Sequence, residues 1–133
     1  MSTTKTSELL VVTKTGPGIL AKLVAPLAQS NINVECFTGY EWGNEAAIRL
    51  VTDNNRKARE LLAKAGYTVS ESPTVIWDTP NTPGILRKAA SALAEQKVNI
   101  YCSYATGEPG GKSKIAFTTS DASKTADTLE LLK

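Results

Sequence analysis

Apolar residues recur along this chain with two periods, and the switch between them marks out the elements. Glu8-Leu9-Leu10-Val11-Val12-Thr13 is a nearly continuous apolar run, as a buried central strand requires. After the loop Lys14-Thr15-Gly16, Pro17 stands where the first turn of a helix tolerates proline. Ile19, Leu20, Leu23, Val24 and Leu27 then share one helical face up to about Ser30. Pro26 lies inside that pattern and predicts a kink there, not an end. From Asn31 to Thr38 the period falls to two, with Ile32, Val34 and Cys36 on one face of a half-buried strand. Gly43 and Asn44 mark a turn, and 46–52 reads as the returning strand of a hairpin. Asp53 is a candidate cap for a helix carrying Ala58, Leu61, Leu62 and Ala65, which Gly66 stops. Tyr67-Thr68-Val69-Ser70 completes a βαββαβ unit, and the Thr/Ser-rich stretch Met1 to Ser7 is predicted to fray.

The same order is then written again. Aligned at an offset of sixty-six, Glu8 to Phe37 and Thr74 to Ser103 share ten identities in thirty pairs, where about two are expected from average usage. Four of the ten are consecutive, Pro17-Gly18-Ile19-Leu20 against Pro83-Gly84-Ile85-Leu86. An internal repeat at this period outranks any reading of the chain as one domain. The predicted architecture is therefore α+β, two tandem ferredoxin-like units with antiparallel sheets and helices on one face. The units are residues 1–72 and 73–133, and the second lacks a counterpart of the strand at 67–70. Its hairpin turn, 108–112, reads as two residues longer, and Asp121 mirrors Asp53. A sheet left open at one edge needs a cover or a partner. Units this small bury little surface alone, which points to packing on each other and to a homodimer.

Composition narrows the chemistry. There is no histidine, which removes His-based metal sites, imidazole bases and Ser-His or Cys-His pairs. Cys36 and Cys102 occupy equivalent repeat positions and read as packed thiols. No cofactor or metal site is expected. Net charge is +2 with scattered Lys and Arg, so neither nucleic acid nor a membrane is an expected partner. No signal sequence or apolar run of membrane length is read, which sets a cytoplasmic expectation. Trp77 reads as core or interface.

The apolar strand, the loop ending Pro-Gly-Ile-Leu, the helix, and then Ile32-Asn33-Val34 or Val98-Asn99-Ile100 together resemble the ACT domain, in two tandem copies covering nearly the whole chain. That resemblance implies an amino-acid-binding regulatory module, working in pairs whose sheets or helices abut, that controls a metabolic enzyme or transcription regulator. In amino-acid-binding members an asparagine often stands two residues before the proline and another sixteen after it. Here the first place holds Asn81 but Thr15, and the second holds Asn99 and Asn33.

The residues give this a physical basis. A helix starting at Pro-Gly leaves amide groups without intrahelical partners, and its dipole favours a carboxylate there. The candidate ligand-binding loops are thus Thr15, Gly16, Pro17, Gly18, Ile19 and Leu20, and Asn81, Thr82, Pro83, Gly84, Ile85 and Leu86, with Asn33 and Asn99. An asparagine amide can face an ammonium or a carboxylate. A helix of ~13 residues spans roughly 20 Å, which keeps a loop from sharing one small ligand with its own unit's second-strand asparagine. The expectation is a composite site, the Asn81 loop with Asn33 and the Thr15 loop with Asn99, or Asn81 with Asn99 of a second chain.

Alternatives are a ligand-free oligomerisation module, a small ferredoxin-like enzyme, a metal carrier and an RNA binder. A phosphatase on this layout needs an arginine in the first loop, and a metal carrier needs paired cysteines there. Neither loop has them. RNA binding needs exposed strand aromatics and a basic surface. Pro-Gly capping also needs no ligand, and the asparagines could simply shape turns.

Overall fold

The computed structural model describes residues 1–132; Lys133, the last residue of the predicted second repeat, lies outside the described residues. The elements run β1 (Ser2–Lys14), α1 (Ile19–Gln29), β2 (Val34–Trp42), β3 (Glu45–Thr52), α2 (Asn55–Lys64), β4 (Val69–Pro80), α3 (Ile85–Glu95), β5 (Ile100–Gly107), β6 (Lys112–Thr119) and α4 (Ala122–Glu130). The fold is α+β and ferredoxin-like, as the repeat predicted.

The chain forms two compact units. One is Ser7–Ser72; the other joins Met1–Thr6 to the chain from Pro73 onward. In the first, β3 lies between β2 and β1 and pairs antiparallel with each. Leu9 pairs with Leu50 and Val11 with Ile48, so these four share one face. Leu23 and Leu27 of α1 and Ala58 and Leu62 of α2 pack on that face. In the second unit β6 lies between β4 and β5, with Val75 opposite Phe117 and Trp77 opposite Ile115. Ala89 and Leu93 of α3 and Ala126 and Leu129 of α4 cover them. Trp77 is fully buried, a core residue.

Four details differ from the pattern-based reading. Met1 to Ser7 does not fray: β1 begins at Ser2. Met1–Thr6 belongs with β4, its hydrogen-bonded neighbour, and the amide of Thr3 donates to Glu130 Oε1 at 3.0 Å. This segment stands where the second unit has no strand of its own after α4 among the described residues, so it covers the open edge. Its polar composition hid the pairing. Second, the short strand at 67–70 and the strand at 74–78 are one strand, β4, running through Pro73. Third, α2 is capped by Asn54, whose side chain accepts from the amide of Lys57 at 3.1 Å, not by Asp53. Asp53 instead accepts from the amide of Asn33 at 3.0 Å. Asp121 caps α4 through the amide of Lys124. The matching caps are thus Asn54 and Asp121, which makes the second hairpin one residue longer than the first, not two. The fourth concerns Glu8, placed by the pattern at the head of the apolar run. It is buried to 1% exposure, and its Oε1 pairs with Arg49 Nη1 of β3 at 2.7 Å. Helix α1 continues through Pro26, and both cysteines are free thiols.

Candidate ligand site

Each unit ties the loop before its first helix to its own hairpin. In the first, the amide of Thr15 donates to Asn44 O at 3.0 Å and its hydroxyl to Glu41 Oε2 at 2.8 Å. In the second, the amide of Asn81 donates to Gly111 O and its side-chain Nδ2 to Glu108 O, both at 2.8 Å. Asn81 lies against Gly107, where an added Cβ would come within 2.9 Å of its amide carbon. Asparagine and threonine therefore do the same structural work at the equivalent place. One of the two Asn81 amide N–H groups goes to the hairpin, and its oxygen can accept from an outside group.

The helix starts are alike. Gly18 and Gly84 have φ of 80° and 85°, left-handed values that glycine adopts without strain. Neither helix has a side-chain cap or an acidic residue in its first turn. The proline and glycine of each loop are exposed, while Ile19 and Ile85 turn inward. A small cavity of about 220 Å³ lies against Thr15 to Ile19, with Lys14 and Lys22 on its rim. Lys14 and Lys22 border it, and the Glu41 carboxylate held by Thr15 stands beside them.

Asn33 and Asn99 lie elsewhere within their units. Asn33 precedes Val34, which pairs with Thr52 at the end of β2 away from the hairpin. Nine residues of strand at about 3.3 Å each put Thr15 and Asn33 on the order of 25 Å apart along the sheet. The backbones of both asparagines close the turn into the second strand. Asn33 exchanges hydrogen bonds with Asp53, and Asn99 with Ser120. Their side chains are exposed. No unit brings its own loop and its own second-strand asparagine together.

Sequence reasoning passed over the surface beside the first loop. Leu20 and Phe37 are 40% and 51% exposed, and between them Gly39 and Ile48 floor a cavity of about 260 Å³ that Thr15 and Glu41 also line. Gly39, a glycine inside a strand, was the available signal. No group of metal-ligating side chains occurs among the described residues, and none of their helices is long and apolar enough to cross a membrane.

No family model matches the sequence, and no curated protein is similar enough to count as a relative. Solved structures are similar in fold. A protein from Bacteroides thetaiotaomicron superposes with a TM-score of 0.86 at 22% identity, over 96% of this chain and 88% of its own. The ligand-free regulatory subunit of aspartate kinase from Thermus thermophilus gives 0.72 at 18%, over 93% and 88%. The regulatory subunit of aspartate kinase from Thermus flavus gives 0.64 at 18%, over 97% and 92%. Identities this low speak for the fold alone, and that fold is the expected α+β, ferredoxin-like one.

Proposed function

We propose that this chain is a non-catalytic, cytoplasmic regulatory protein that binds an amino acid and controls a partner enzyme or regulator. The observation that carries the proposal is the pair of helix starts, each opened by a left-handed glycine and without a side-chain cap. A ligand carboxylate docks at such an end. The likeness to regulatory subunits of aspartate kinase supports the regulatory half of the reading.

The ligand lies at an interface between two copies of the chain. Because each loop is far from its own second-strand asparagine, a two-fold pairing brings the Asn81 loop of one copy to Asn99 of the other. The Asn81 oxygen then receives the ammonium group and the Asn99 amide completes the shell. A thermal-shift screen across the amino acids, with sedimentation analysis, tests this. A ligand at 100 times its dissociation constant stabilises by ~2.7 kcal/mol. Asn81→Ala is expected to remove that shift. Silence across the panel, or a monomer that binds fully, refutes the reading in this form.

A further inference from the structure

Met1–Thr6 belongs in space to the second unit, and the unit holds it lightly. The segment clusters with the chain from Pro73 onward and lies beside β4, whose residues Thr74 to Trp77 are buried. No residue of Met1–Thr6 is itself buried. At the matching edge of the first unit, the start of β4 has Val69 packed on that unit's core. Met1–Thr6 is tied by polar bonds instead. The amide and the hydroxyl of Thr3 both donate to Glu130 Oε1, the amide at 3.0 Å. A segment held by backbone pairing and exposed polar contacts, without a buried apolar anchor, sits at the low end of local stability.

The start of this segment meets the base of the Asn81 loop. Met1 and Ser2 wall a cavity of about 250 Å³ together with Thr79, Pro80, Gly111 and Lys112. Pro80 leads directly into Asn81, and Gly111 O accepts from the Asn81 amide at 2.8 Å. The wall facing Met1 and Ser2 is therefore built from the root of the loop and from the hairpin to which the loop is bonded. In the same wall Thr79 Oγ1 is buried and finds no hydrogen-bond partner among the described residues. A buried hydroxyl left unpaired is costly, so the docked arrangement carries a penalty that water relieves when the segment leaves. Light anchoring and this penalty give Met1–Thr6 two accessible states, docked on β4 and released.

We propose that Met1–Thr6 is a strand switch coupled to the Asn81 loop: a ligand held by the loop fixes the wall on which the strand begins, and so favours the docked state. The proposal rests on the sensor reading and deepens it by naming the element that reports occupancy. Ordering a shared wall once lowers the ordering cost for the second element that uses it. Linkage makes the effect mutual, so whatever releases the strand weakens the hold of the loop on its ligand.

Amide exchange on the full chain, read by nuclear magnetic resonance as protection factors, tests this from both ends. Asn81→Ala removes the bond from Nδ2 to Glu108 O. It is expected to lower protection at Thr3 to Thr6 by about twofold or more, the least coupling that a shared network shows, while Val75 and Phe117 keep theirs. Glu130→Ala, which takes the acceptor from Thr3, is expected to lower protection of the Asn81 amide by a similar factor. An equimolar mixture of the common L-amino acids is expected to raise protection at Thr3 to Thr6. Variants that each leave the other site unchanged overturn the proposal. If Asn81→Ala weakens Val75 and Phe117 equally, the whole unit has lost stability, and the exposed Glu130→Ala variant read at the Asn81 amide decides. A mixture that raises the melting temperature but leaves Thr3 to Thr6 unchanged overturns the switch and leaves the sensor reading intact. A mixture that alters neither overturns both.

Discussion

Arg49→Met is expected to cost the first unit about 3 kcal/mol, because it takes away the cation that faces the buried Glu8 carboxylate. Glu8 is 1% exposed and Arg49 18%, and their atoms meet at 2.7 Å across β1 and β3. Removing one partner of a buried pair costs roughly 3–5 kcal/mol, since the remaining charge keeps its desolvation penalty and loses its compensation. The partial exposure of Arg49 argues for the lower end, because water can reach the site in the variant. Replacing both residues with methionine removes the penalty together with the attraction and is expected to return stability to within about 1 kcal/mol of the parent. Urea unfolding is the assay. With a slope of about 2 kcal/mol/M, the single variant lowers the midpoint by roughly 1.5 M and the double variant recovers most of it. The cycle also yields the coupling energy directly. A single variant within 0.5 kcal/mol of the parent, with no coupling in the cycle, would refute the claim that the pair sits in a desolvated place.

Two further outcomes follow from the fold. Pro26→Ala, which installs the residue that the second copy has at Ala92, is expected to stabilise by about 2 kcal/mol: interior proline costs a helix ~3 kcal/mol, less what its stiffness takes from the unfolded chain. Unchanged or lower stability in the same urea assay would count against the helix observed through that position. Hydrogen bonds from the hydroxyl and amide of Thr3 hold Glu130 below its ordinary carboxylate pKa. A group depressed in the folded state contributes stability above its unfolded pKa and loses it as pH falls through the folded one. Acidification through that window is expected to lower the amide protection factors across Met1–Thr6, and Glu130→Gln to blunt the pH dependence; equal protection factors at both pH extremes would contradict it.

Much of this molecule was readable from local pattern. The paired periodicities announced an α+β, ferredoxin-like order of strands and helices, and that order formed. Helix faces such as Leu23 and Leu27, or Ala89 and Leu93, pointed inward as their spacing required. Trp77 went to the core and the cysteines stayed thiols. These properties depend on residues a few positions apart, and so they survive in a one-dimensional reading.

What escaped it depends on neighbours far along the chain. Glu8 owes its burial to Arg49, forty-one residues on. Met1–Thr6 owes its order to β4 and to Glu130, none of which its own polar composition hints at. The cap fell to Asn54 because the backbone there is extended at φ −153° while the Asp53 carboxylate reached Asn33. The cavity beside the first loop exists because Leu20, Gly39 and Ile48 arrive from three elements. Period and propensity record how each segment prefers to fold, whereas desolvation, edge pairing and cavity shape belong to pairs of segments and come into being only when the chain closes on itself.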